Sequence, residues 1–240
     1  MNENNSFTRG IKDGIPVCIG YIAVGFAFGI FSVESGLSVV EALLISMTNV
    51  TSAGQLASVP IIAGGGTLIE LAVTQLVINL RYSLMSVSLS QKVDKSVKTI
   101  DRFLISFVNT DEVFAVSSSK EGKIGKKYLY GLILTPYLGW SAGTVIGAVA
   151  GNLLPDVVIS SLGVAIYGMF IAVVIPPAKK SKPVALCVLT AVALSCAFRY
   201  IPALTAVPQG FVFIICAVAA SALFAVIAPI NTDKEGEANE

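Results

Sequence analysis

The sequence predicts an all-α fold, a polytopic membrane helix bundle of about six to eight apolar segments with broken or re-entrant elements. Three observations predict it. Hydrophobic residues make up 55% of the 240 residues and charged residues only 13%, where a soluble globular domain carries about 45–50% and about 25%. Mean hydropathy is +0.81. Apolar runs recur from one end of the chain to the other, most of them reaching or approaching the roughly 20 residues that span a bilayer as a helix.

Composition also excludes some functions. A net charge of +1 implies no nucleic-acid or acidic partner. The chain has no histidine, which removes a Ser-His-Asp triad, His-ligated zinc or haem, and a histidine proton relay. No metal or cofactor is expected. Cys18, Cys187, Cys196 and Cys216 lie in apolar runs without CxxC spacing and read as small packing residues.

Residues 1–13 form a polar, Asn-rich N-terminal segment, and the apolar run after it has no small-residue cleavage signature, so no removable signal peptide is expected. Residues 14–230 read as one transmembrane domain and 231–240 as an acidic tail. The apolar segments are 14–33, 38–63, 67–90, 103–118, 128–150, 156–177, 183–201 and 207–230. The first carries Gly20, Gly25 and Gly29, which suit close helix packing. The second is broken by polar and glycine residues from Thr48 to Gln55 and by Pro60. Such interruptions are tolerated at membrane depth only where protein or a cavity covers the backbone. Gly64-Gly65-Gly66 is a turn rather than a phosphate loop, because no Lys-Ser/Thr follows it and no strand precedes it. The third segment is apolar apart from a few polar residues, with Arg81 in its interior, and the fourth is short and holds Asp111-Glu112. The fifth leads into glycine at every fourth position, Gly139, Gly143, Gly147 and Gly151, a ridge for another helix of this chain or of a partner.

Lysine and arginine placement orients the chain. Basic residues collect at Arg9/Lys12, at Lys92–Arg102, at Lys120–Lys127 and at Lys179–Lys182, while the loops near 34–37, 151–156 and 202–208 carry none. If all four clusters are cytoplasmic, one of the three apolar segments between Lys12 and Lys92 cannot cross fully. The interrupted 38–63 is the candidate, and 103–118, with a basic cluster on each side, dips in and returns. The result is six full spans, two half-penetrating elements and both termini cytoplasmic. The rival count is eight spans with Lys92–Arg102 outside.

Three landmarks recur at nearly one offset. Pro16 and Pro136 open the first and fifth segments, Pro60 and Pro176 close the second and sixth, and Arg81-Tyr82 and Arg199-Tyr200 fall late in the third and seventh, 120, 116 and 118 residues apart. Duplicated halves, about 14–91 and 128–205, are one reading, common in secondary transporters. Chance is the other.

Arg81 is the residue with the strongest functional claim. Within the stretch Thr67 to Gln91, ten or more residues lie on either side of it, roughly 15 Å of helix, or about half the hydrocarbon thickness. A guanidinium there costs at least about 2.5–3.5 kcal/mol and normally faces a bundle interior or a watery cavity. Asn79 is two residues away and therefore on another side of the helix, sharing a face with Gln75. Arg81 either binds a substrate carboxylate or pairs with Glu70, Asp111 or Glu112 to hold the bundle. Thr110-Asp111-Glu112 either carries protons or pairs with Arg81, or ends its segment at the interface. In Ser52-Ala53-Gly54-Gln55 the glycine permits an unwound backbone that meets a zwitterion, or simply close helix packing.

Together these motifs resemble the AzlC family, the large subunit of two-component branched-chain amino acid exporters. The resemblance rests on Gly14-Ile15-Pro16 with Gly25-Phe26-Ala27-Phe28-Gly29, on Ser46 to Gln55, on Asn79-Leu80-Arg81-Tyr82 with Ser83–Ser86, and on Thr110-Asp111-Glu112 with Phe114-Ala115. It spans about residues 10–228, and Asn-x-Arg and Thr-Asp-Glu are its most specific parts. Tyr82 stands where the family commonly has His, so a proton relay at that position is not carried over. The resemblance implies efflux of Leu, Ile, Val and analogues driven by the proton gradient, a small four-span AzlD-type partner subunit, and a place in the bacterial plasma membrane.

An aliphatic amino acid needs an anion partner, an ammonium partner and an apolar pocket. Arg81 suits the first, and Asp111 or Glu112 with carbonyls freed near Gly54 suits the second. Two other classes stand beside the exporter reading. One is a channel or structural subunit whose partner holds the substrate site. The other is a membrane-embedded enzyme, which the single acidic pair and the lack of histidine disfavour.

Overall fold

The computed structural model describes residues 5–153, 155, 171, 174–176, 178–179, 181–202, 204 and 206–228. Almost all of the expected segment 156–177, and the tail 231–240, lie outside the described residues. The described helices are α1 (Phe7–Glu34), α2 (Val39–Thr48), α3 (Ser52–Ala63), α4 (Leu68–Lys92), α5 (Thr99–Ser106), α6 (Asp111–Ser119), α7 (Lys126–Leu153), α8 (Lys182–Tyr200) and α9 (Gln209–Ile227). Of these α1, α4, α7, α8 and α9 contain stretches long and apolar enough to cross a membrane, while α2 and α3 are apolar but short. The chain is a helical membrane bundle. Helix starts follow local chemistry: Ser6, Thr67 and Thr110 accept from the backbone N–H three residues on, and Ser38 and Glu41 form a reciprocal capping box.

The frame is the contact between α1 and α7. A Cβ added at Gly139 would lie 2.8 Å from the Cys18 carbonyl, at Gly143 2.4 Å from that of Ile22, and at Gly147 2.0 Å from that of Phe26. Reciprocally, one at Gly10, Gly25 or Gly29 would strike the carbonyl of Tyr128, Trp140 or Thr144 within 2.5 Å. Partners advance together along both helices, so α1 and α7 run parallel, backbone against backbone. The glycine ridge of α7 therefore serves a helix of the same chain. Gly20 does not take part, because a side chain there would meet open space. Pro16 and Pro136 do not open their helices either. Both lie inside them, because the helices begin earlier, in the polar residues before each apolar run. Tyr21 and Trp140 meet edge to face at 4.7 Å across the same contact.

α4 runs the other way. Ile124 N–H donates to the Lys92 carbonyl at 3.0 Å, Asp94 N–H to that of Ile124 at 2.9 Å, and Asn5 Nδ2 to that of Lys123 at 3.0 Å. The end of α4 thus meets the starts of α1 and α7, and this end of the bundle gathers Arg9, Lys12, Lys92, Lys95, Lys98, Lys120, Lys123, Lys126 and Lys127. We call it the basic end.

Two helical hairpins fill the frame from opposite ends. The first is α2 and α3, of ten and twelve residues, each about 15–18 Å long and so about half a bilayer deep. It starts after the far end of α1, reaches Thr144 and Tyr137 of α7 through Ser46 and the Met47 carbonyl, and returns to the start of α4. The second is α5 and α6. It leaves the basic end, where Tyr130 Oη donates to Asp101 at 2.8 Å. Its tip touches Tyr21 and Ser86, and it comes back to where Lys92 Nζ donates to the Ser118 carbonyl. The two segments expected to enter and return, 38–63 and 103–118, are both helical hairpins.

Two details of the first hairpin correct the sequence reading. The unwound residues are Asn49–Thr51, and Ser52 already begins α3. Pro60 lies inside α3, which continues to Ala63, so it breaks nothing. The hairpin turns on a polar stretch whose side chains replace backbone hydrogen bonds, and a proline near the end of a short helix leaves little ladder to interrupt. At the far end Gly210 N–H donates to Glu70 Oε1 at 2.7 Å, tying the start of α9 to the start of α4. Arg199 lies in the last turn of α8, whereas Arg81 is thirteen residues into α4, so the two Arg-Tyr pairs do not share a position within their helices.

Gly147→Leu is expected to destabilise the protein by more than the about 1–3 kcal/mol usual for overpacking, since the obstacle is backbone, while Gly20→Ala is expected to be neutral. Thermal unfolding in detergent checks both.

Candidate functional site

The tips of the two hairpins meet the middle of α4, and each tip is held by a different face of that helix. On one face, Asn49 Nδ2 donates to Gln75 Oε1 at 2.8 Å, Asn79 Nδ2 donates to the same oxygen at 3.1 Å, and Gln75 Nε2 donates to the Gly54 carbonyl at 2.8 Å. Thr51 Oγ1 donates to Asn49 Oδ1 at 2.7 Å. Gln75 is thus the clasp of the first hairpin, using both ends of its amide. Gly54 is required here by close approach: a Cβ would stand 2.4 Å from Thr51 Oγ1 and 2.5 Å from Gln75 Oε1. Asn79 Oδ1 is buried and has no hydrogen-bond partner among the described residues.

On the other face, Arg81 Nη2 lies 2.9 Å from Asp111 Oδ2, with the two side chains 51% and 46% exposed. The guanidinium also donates to Tyr82 Oη at 3.0 Å and lies 4.8 Å from the centre of that ring. Tyr82 therefore positions the arginine through a hydrogen bond and its ring face. Asp111 and Glu112 occupy the first turn of α6, where the helix dipole favours carboxylates. Thr110 caps that turn. Tyr21 Oη is 2.6 Å from Thr110 Oγ1 and donates to Glu112 Oε2, so the second carboxylate is anchored on α1 outside the ion pair.

The structure divides the residues singled out from sequence. Arg81, Thr110, Asp111 and Glu112 form one constellation at the second tip, and Gly54 and Asn79 join another at the first. Gln55 belongs to neither. It is fully buried and donates to Ser46 Oγ at 2.8 Å, which in turn bonds Thr144 Oγ1 at 2.7 Å, tying the hairpin to α7. Ser52 heads α3 with no side-chain hydrogen bond among the described residues. The sequence reading missed Asn49, Thr51 and Tyr21 and undervalued Gln75. Its spacing of four from Asn79 was the available signal; nothing in the sequence marks Tyr21.

Chemically, the second tip is a half-open ion pair with a spare carboxylate beside it, thirteen residues from one end of α4 and eleven from the other. An ion pair with half its surface uncovered at that depth cannot face acyl chains without a large penalty, so it faces a cavity or other protein groups.

A family model described as AzlC protein matches residues 16–154, a range that contains every residue of both constellations. The chain is 31% identical over 182 residues to a protein of Archaeoglobus fulgidus named uncharacterized membrane protein, covering 75% of this chain and 79% of that one. It is 30% identical over 151 residues to inner membrane protein YgaZ of Escherichia coli. That match covers 61% of this chain and 62% of YgaZ, so the chain spans less than two thirds of that relative's length. A Helicobacter pylori protein, also named uncharacterized membrane protein, is 24% identical over 156 residues, with 62% and 67% covered. No solved structure matches.

Replacing Gln75 by Leu removes its three hydrogen bonds to Asn49, Gly54 and Asn79 and is expected to cost about 0.5–1.5 kcal/mol for each. Increased proteolysis or cysteine accessibility at residues 49–54 checks that the loss is local to the first hairpin.

Proposed function

Because the chain belongs to the AzlC family, we propose that it is the large subunit of a secondary-active exporter of branched-chain amino acids, proton-coupled and working with a small AzlD-type membrane subunit. The observation that carries the reading is the half-open Arg81–Asp111 pair at the middle of α4. A zwitterionic amino acid presents a carboxylate and an ammonium side by side. It can exchange one internal ion pair for two, carboxylate on Arg81 and ammonium on Asp111, without bringing net charge into the apolar phase. A substrate with a single charge would leave one partner uncompensated, which is strongly unfavourable away from water. The aliphatic side chain meets the apolar surface that dominates the segments around the tips. Glu112, held by Tyr21 and free of the ion pair, is the proton carrier.

Two further observations support the rest of the proposal. The basic end faces the cytoplasm under the positive-inside bias. Residue 5 then lies on that side, and α9, which starts beside Glu70 at the opposite end and is long enough to cross, ends there. The plasma membrane of a bacterial cell is the matching location. Apolar faces of α4 (Leu76, Leu80, Leu84) and α8 (Leu186, Leu189, Val192) are exposed among the described residues, which suits a neighbouring subunit as well as lipid.

In vesicles loaded with leucine, Arg81→Ala and Asp111→Asn are each expected to slow efflux at least about tenfold, the loss of one charge-assisted hydrogen bond of about 1.5–3 kcal/mol. Unimpaired efflux by well-expressed Arg81→Ala protein would rule the site out. Glu112→Gln is expected to keep leucine exchange across the membrane while losing the response to an imposed pH gradient.

A further inference from the structure

A cavity of about 360 Å³ lies between the C-terminal half of α4 and α5, on the basic-end side of the ion pair. Neither constellation described above includes it. Val87, Leu89, Val93, Val97, Phe103 and Ile105 supply apolar wall, and Arg102 is its one charged lining residue. It is within the size range of small-molecule sites, which pair apolar walls with a few placed polar groups. The placed group is Asn109, at the tip of the second hairpin, two residues from Asp111. Asn109 is 3% exposed. Its Nδ2 donates to Ser86 Oγ at 3.1 Å, while its Oδ1 is buried with no hydrogen-bond partner among the described residues.

A buried amide oxygen without a donor is an unfavourable arrangement that native structures rarely keep without a use. An acyl chain entering this cavity supplies no donor. An ammonium group supplies three, and the walls accept an aliphatic side chain. We propose that the cavity is a station on the basic-end side where an apolar amino acid binds before it reaches Arg81 and Asp111, its ammonium donating to Asn109 Oδ1. The exposed Arg102 adds a positive field that attracts the carboxylate end. Transfer to the ion pair then takes the substrate along the tip of the second hairpin, from Asn109 to Asp111 two residues on. The proposal rests on the exporter reading and adds to it a binding site and an order of events.

The test uses the full chain with Ser90, which lines the cavity, replaced by Cys and the four native cysteines replaced by Ala. Labelling by a membrane-impermeant maleimide from the basic-end side is expected to slow at least about tenfold with saturating L-leucine, a shift consistent with near-complete occupancy. Isoamylamine, which keeps the ammonium, is expected to protect. 4-Methylpentanoate, which keeps only the carboxylate, is not. Adding Asn109→Leu is expected to abolish protection by both amines, and where that variant is poorly folded, Val87→Trp, which fills the cavity from its wall, is expected to do the same. Leucine export by the Ser90→Cys protein with labelling indifferent to leucine overturns the station and leaves the exporter reading standing, as does protection by 4-methylpentanoate alone. Failure of the unsubstituted chain with its partner subunit to export leucine overturns both.

Discussion

The backbone contact between α1 and α7 is the constraint on which the rest of the structure depends. Two parallel helices approach until only glycine fits, with Gly139, Gly143 and Gly147 against the carbonyls of Cys18, Ile22 and Phe26. In a bilayer no hydrophobic drive pulls helices together, so close packing and interhelical hydrogen bonds must do it. That closeness gives the hairpins a firm wall. The first leans on it through Ser46 and Thr144, the second through Tyr21 and Tyr130. Broken helices need such cover, because their freed backbone groups have no water to turn to.

From this wall the hairpins enter from opposite ends and bring their tips to one helix. α4 separates them by face. Gln75 and Asn79 hold the first tip by neutral amide bonds, which order the backbone without charge. Arg81 holds the second by an ion pair, which is stronger yet half uncovered and therefore open to exchange. One tip is clasped and the other is bridged by the kind of contact a zwitterion can replace. That asymmetry is the structural basis of the functional reading, and Glu112 on Tyr21 extends it with a carboxylate outside the pair.

Much of this was legible in the residues. Arg81 inside an apolar run required a compensating partner, and Asp111 supplies it. Basic clusters on both sides of 103–118 required that segment to return to its own side, and it does. Glycine at every fourth position from Gly139 required a close neighbour. What was not legible came from long-range packing. Nothing local marks Tyr21 as the partner of Glu112, 91 residues away, or Gln55 as a tie to α7 rather than part of the open site. The break expected from Thr48 to Gln55 narrows to Asn49–Thr51, and the unwound role given to Ser52–Gln55 falls on residues that are already helical, because the turn is made by side chains that substitute for backbone partners.

Sequence alone determined that this chain lives in a membrane, that 38–63 is interrupted, and that a charge in the middle of α4 had to be compensated. These follow from solvation, and solvation acts residue by residue along the chain. Only the tertiary structure decided which acid answers Arg81 and that Glu70, an equal candidate by charge, instead caps the start of α9. It also decided that Asn109 keeps an unanswered oxygen beside a cavity. Those choices depend on which helix faces meet. A helix repeats its faces every few residues, so which neighbour fills each one is settled only when all of them pack at once.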